Sequence, residues 1–65
     1  MIMAKWRVCG WARVTGFPVR CKDFKMVVRA KKSRAAIEKA VIKTFKRESG
    51  IYIDYCIFYD IKRVK

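Results

Sequence analysis

Lys5-Trp6-Arg7-Val8-Cys9-Gly10-Trp11-Ala12-Arg13-Val14 is the stretch whose reading decides the fold. Trp6, Val8, Ala12 and Val14 occupy alternate positions and make one apolar row. Lys5, Arg7, Cys9 and Arg13 make the other, with Trp11 among them. A period of two is that of a strand with one buried face. Gly10 interrupts the apolar row, and a glycine inside a strand marks a bulge or the close approach of another backbone.

Reading outward, Thr15 to Pro18 contains Gly16 and Pro18, which is turn chemistry. A second strand is expected from Val19 to Ala30, with Phe24, Met26, Val28 and Ala30 on one face, and Lys25 and Arg29 on the other with Val27 between them. Two strands joined by a short Gly/Pro loop read as an antiparallel hairpin. Ser33 suits a helix N-cap. Behind it Ile37, Ala40, Val41, Thr44 and Phe45 recur at helical spacing, and Gly50 is the expected stop. Arg34 stands in the first turn, where the helix dipole disfavours a cation, so it is a candidate ligand contact. It also stands four residues before Glu38, a spacing that suits a surface ion pair. Ile51 to Val64 is rich in β-branched and aromatic residues and reads as a third strand. Both its faces carry apolar groups. That leaves two options: a central strand, or a strand whose faces are switched by a bulge near Tyr59 to Ile61.

The order β-β-α-β predicts an α+β fold, a two-layer domain in which a three-stranded, mainly antiparallel sheet packs against one helix. Residues 1–65 are expected to form a single domain. The expected core is Trp6, Val8, Phe24, Met26, Val28, Ile37, Ala40, Val41, Phe45, Ile51 and either Ile57 or Phe58. A chain this short buries only about 60% of the surface its unfolded form exposes, which leaves no room for a deep catalytic cleft.

Charge speaks to partners. Seventeen lysines and arginines stand against five acids, a net charge of +12. Solubility alone needs a magnitude of only about 2–8 in a small domain. A polyanion relieves the self-repulsion and releases its own counterions on binding. The cations fall in several places: Arg29, Lys31, Lys32 and Arg34 between second strand and helix; Lys46 and Arg47 at the helix end; Arg13 and Arg20 around the hairpin loop, with Lys22 and Lys25 beyond; Lys39 and Lys43 on the helix away from its apolar stripe; Lys62, Arg63 and Lys65 at the end. A DNA reader presents one element to one groove, whereas charge on many sides suits folded RNA. The phosphate contacts expected are Arg13, Arg20, Lys22, Lys31, Lys32, Arg34, Lys46 and Arg47. Trp11, Tyr52, Tyr55 and Tyr59 are candidate outward aromatics, and Trp11 is the best placed to stack on an unpaired base.

Catalysis is poorly supplied, and no enzyme is expected. The chain has no histidine for proton transfer near neutrality, its acids are scattered, and no base stands beside a cysteine. Cys9, Cys21 and Cys56 are odd in number and widely spaced, unlike the paired ligands of structural zinc. They read as buried or half-buried thiols kept reduced in a cytosol, with no metal or cofactor expected. Met1 to Trp6 shows no run of signal-peptide length, and Ile51 to Ile61 is too short to span a bilayer.

Several short patterns resemble the archaeal ribosomal protein LX family of the large ribosomal subunit. Trp6-Arg7-Val8-Cys9-Gly10 is similar to that family's opening F-R-V-x-G, with Trp for Phe; Phe24, Val28 and Ala30 fit its F-x-x-x-V-x-A; Ala36-Ile37-Glu38-Lys39 fits A-x-E-(K/R); and Cys56, Phe58, Ile61 and Val64 follow the rhythm of its last strand. Where the family reads G-S-(R/K)-H after its helix, Lys46-Arg47-Glu48-Ser49 stands here without a histidine, and the helix is one residue longer. The resemblance implies a structural constituent of the large ribosomal subunit, cytoplasmic on the ribosome, with rRNA and neighbouring ribosomal proteins as partners and Lys46 and Arg47 against the RNA. No membrane or small-molecule substrate is expected as partner. The rival readings are a small basic chromatin or viral DNA-binding protein, a cationic membrane-surface protein, and a protein-interaction module using an exposed edge strand.

Overall fold

The structure, a computed structural model, describes residues 3–64. Met1, Ile2 and Lys65, the last of the C-terminal basic group, lie outside the described residues. Strands β1 (Ala4–Val14) and β2 (Arg20–Ala30) precede helix α1 (Arg34–Ser49) and strand β3 (Ile53–Val64). The sheet order is β2-β1-β3, and β1 is antiparallel to both neighbours. This is the expected two-layer α+β fold. Strands of 11 or 12 residues, rising about 3.3 Å per residue, account for the long dimension of a domain measuring 38 × 21 × 18 Å.

The topology has a simple cause. Since β2 and β3 both oppose β1, they run parallel to each other, and parallel strands need a crossover rather than a tight turn. The helix is that crossover, and it covers the inner face of β1. Ser33 caps it as expected: its backbone is extended (φ −153°, ψ 131°) and its hydroxyl accepts from the Ala36 N–H at 3.4 Å. Gly50, at φ 66°, ends it by donating its N–H to the Lys46 carbonyl at 3.1 Å. Thr44 sits in the apolar stripe because its hydroxyl donates back to the Ala40 carbonyl at 2.8 Å.

The inner face of β1 carries Trp6, Val8, Gly10 and Ala12, all buried, and Val8 together with Val41 of the helix is fully enclosed. Val8 and Val41 each contribute about 1.5–3 kcal/mol through burial. The indole N–H of Trp6 is satisfied inside the core by the Ala30 carbonyl at 2.9 Å. Gly10 lies in one row between Phe24 of β2 and Phe58 of β3. With no side chain between them, the two rings meet edge-on at 6.0 Å, and Phe45 packs on Phe24 from the helix at 5.6 Å.

The third strand differs from one of the two options and follows the other. It is an edge strand, and β1 is the central one. Its register against β1 shifts twice, between Cys9 and Gly10 and between Arg13 and Val14, leaving Tyr59 and Asp54 as the extra residues. Each bulge flips the faces, so Ile53, Cys56, Phe58 and Ile61 point inward despite their irregular spacing. Phe58, not Ile57, packs against the core, partly buried; Ile57 lies on the outer face across from Trp11. Ile53, Cys56, Ala12 and Ala30 are buried beyond the expected set, while Met26, Ala40 and Ile51 are only partly buried against it.

The three thiols divide. Cys56 is buried, Cys9 half-buried, and Cys21 exposed, which corrects the expectation that all three are sheltered. Burial pushes the Cys56 thiol from 9.0 up to about 11; Glu38 adds to the rise and Arg34 opposes it. Between those values the unfolded chain gives up a proton that the folded chain keeps, so this group's stabilisation is complete below about pH 9 and is lost as pH rises toward 11. Cys56→Ala should remove that component of the alkaline decline in urea melts. Iodoacetamide near pH 8 should modify Cys21 in the folded protein and Cys56 only on unfolding, as read by mass spectrometry; prompt labelling of Cys56 would contradict its placement.

Candidate nucleic-acid interface

Because β2 is an edge strand and the helix leaves it to cross toward β3, a groove of about 840 Å³ opens between its free edge and α1. Small residues make the room: Ala36 and Ala40 on the helix and Ala30 on the strand. Arg29, Lys31, Lys39, Lys43 and Arg47 line it, against one carboxylate, Glu48. Lys39, Lys43 and Arg47 follow each other at i, i+4 and i+8, so they stack along one helix face. Like charges at that spacing destabilise an isolated helix by about 0.2–0.5 kcal/mol per pair.

Neutralisation within the chain is slight. Among the described residues two ion pairs form, Arg13–Asp54 at 3.0 Å and Lys62–Asp60 at 3.9 Å. None of the groove cations has such a partner. The Asp54 carboxylate accepts from Arg13 Nε and holds that guanidinium still more firmly protonated than usual.

The expected contacts are placed as follows. Lys31 and Arg47 come together in the groove. Lys46 stands beside Arg47 and Lys43 at a shallower depression, its ammonium 5.5 Å from the centre of the Tyr52 ring. Lys32 is exposed in the turn before the helix. Arg34 does not pair with Glu38: its guanidinium lies over the Phe58 ring at 5.8 Å. The aromatic face is therefore a better account of its first-turn position than a ligand alone. Arg20 and Lys22 are exposed at the hairpin end of β2, away from the groove. Arg13 and Trp11 lie on the outer face of the sheet, Arg13 over the Tyr55 ring at 5.7 Å and Trp11 edge-on to the same ring at 6.0 Å.

Lys39, Lys43 and Arg29 were not among the residues singled out as contacts from sequence. The i, i+4, i+8 spacing of Lys39, Lys43 and Arg47 was a readable signal. That this row faces the free edge of β2 depends on which side of β1 each strand takes. Among the described residues no cluster of metal-ligating side chains assembles, and no helix is long and apolar enough to cross a membrane. Compared with family models, curated proteins and solved structures, the chain finds no significant match in any of the three.

Proposed function

We propose that this protein binds folded RNA through phosphate contacts and serves as a structural component of a ribonucleoprotein, the large ribosomal subunit being the particle its sequence resemblance favours. The observation that carries the reading is the groove between β2 and α1: Arg29, Lys31, Lys39, Lys43 and Arg47 converge there without an ion-pair partner. Such a row is electrostatically unfavourable in the free protein and favourable along a polyanion backbone. Phosphate contacts position a protein and carry no base code, so selectivity comes from the shape of the RNA. Cations at the hairpin end, in the groove and at the helix end point in several directions, which suits contact with more than one segment of a folded molecule.

A competition between structured RNA and duplex DNA of equal length tests the polymer. Strong preference for RNA is the expected result; equal or better binding of DNA would favour the chromatin or viral reading instead. Alanine substitution of Arg13, Arg20, Lys31, Lys32, Arg34, Lys46 and Arg47, one at a time, should lower the slope of log affinity against log salt by about one unit for each residue that contacts a phosphate. A slope unchanged across all seven would remove them from the interface. Sedimentation of the tagged native protein in high salt tests the particle: stoichiometric travel with the large ribosomal subunit is expected, and retention at the top of the gradient would refute it.

A further inference from the structure

We propose that the open face of the sheet, opposite the helix, is a second RNA surface that takes an unpaired segment, its bases stacking at Trp11 and Tyr55 and its phosphates on Lys5 and Arg7; this rests on the RNA reading above. The face is laid out by the register. Running along β1, its rows are Lys5 with Arg29 and Val64, Arg7 with Val27 and Lys62, Cys9 with Lys25 and Asp60, Trp11 with Asp23 and Ile57, and Arg13 with Cys21 and Tyr55. The first two rows are cationic at one end of the sheet, and in the third Lys25 is offset by Asp60. The last two hold the rings, Trp11 and Tyr55 with Ile57 beside them, flanked by Asp23 and Arg13.

That division fits a single strand and not a duplex. Rows on one face repeat about every 6.7 Å, close to the spacing of successive phosphates in an extended chain. A strand lying along β1 meets charge at one end and rings at the other. A duplex offers only backbone to such a surface, whereas an unpaired base offers the π-face that aromatic side chains hold. Trp11 is on the central strand, half-buried, and held edge-on to Tyr55 at 6.0 Å. The Arg13 guanidinium lies 5.7 Å from the centre of the Tyr55 ring and is tied to Asp54 at 3.0 Å, so the aromatic end is braced before any ligand arrives. Of the three carboxylates at the face, Asp60 is paired with Lys62 and Asp54 with Arg13, while Asp23 stands across from Trp11; against Lys5, Arg7, Arg13, Lys25, Arg29 and Lys62 the face as a whole stays positive.

The two tryptophans make the test direct. Trp6 is 8% exposed and hydrogen-bonded inside the core, so it reports little of an outer ligand, and Trp11 reports the face. Wild-type protein is titrated with an oligouridylate of about eight nucleotides and, separately, with a short RNA duplex, reading tryptophan fluorescence and, with end-labelled RNA, anisotropy. The single strand should quench Trp11 and the duplex should not. Trp11→Ala should weaken the single strand about tenfold to a hundredfold while leaving duplex affinity unchanged; Trp11→Phe, which keeps a ring, should retain most of the affinity and lose the quench. Binding of the single strand without a fluorescence change, or equal quenching by the duplex, overturns the stacking surface while leaving the groove reading in place. Failure of every RNA to bind overturns both.

Discussion

Replacing Lys39, Lys43 and Arg47 together by glutamine is expected to weaken binding of folded RNA about 500-fold at 0.1 M salt. The magnitude follows from counterion release: each phosphate contact contributes roughly 0.9 to the slope of log affinity against log salt, and three lost contacts remove about 2.7 log units between 1 M and 0.1 M. The slope itself should fall by the same 2.7. All three side chains are exposed and none is ion-paired, so the fold loses only the favourable place of Arg47 in the last helical turn. Relief of their i, i+4 repulsion offsets that loss, so the melting temperature should stay nearly unchanged. Filter binding or anisotropy across a salt series measures the slope, and circular dichroism checks the helix. An unchanged slope in a folded variant would mean that the groove does not track phosphates. A fall in affinity with the slope intact would point to a lost shape contact rather than lost charge.

Gly10→Ala should cost about 3 kcal/mol, the upper part of the range for overpacking a close-packed site. A Cβ built on Gly10 falls on the Ile57 carbonyl oxygen, with Phe58 Cα at 3.0 Å. Those atoms are backbone at the β3 bulge and have no rotamer by which to move aside. A domain of this length has about 3–10 kcal/mol of stability in all, and a loss of 3 kcal/mol lowers its melting temperature by roughly 12–24 °C. Urea melts of the two proteins decide it. Gly50→Ala is the contrast: open space surrounds that position, so only its left-handed φ of 66° opposes the side chain, at about 1–2 kcal/mol. Equal stability of Gly10→Ala and wild type would show that β3 does not lie against Gly10 in the register described.

How much of this was legible in the sequence differs by element. The hairpin and helix were, because each is decided locally. Alternation from Trp6 to Val14, turn residues at Gly16 and Pro18, the Ser33 cap and the Gly50 stop leave their marks within a few residues of where they act. The faces of β3 were not. Ile51 to Ile61 reads as a plain alternation, but Tyr59 and Asp54 are bulged out against β1, and a single extra residue exchanges inside for outside. Gly10 carried half of that message, since it marked a close backbone approach without saying which strand approaches. Trp11 was singled out as an outward ring and does lie on the open face. Arg34 was assigned a ligand or Glu38 and instead covers Phe58, a residue 24 positions away that no local pattern could pair with it.

By itself the sequence determined the β-β-α-β order, the helix boundaries, the inner row of β1 and a cationic surface, because period, caps and charge are short-range or additive properties. Only the tertiary structure decided that β1 is central, that β2 keeps a free edge, and that Lys39, Lys43 and Arg47 face that edge while Trp11 and Tyr55 share the open side. Those facts depend on where a crossover helix delivers the third strand, and strand order is settled by burial of the whole inner face at once rather than by any one segment's preference.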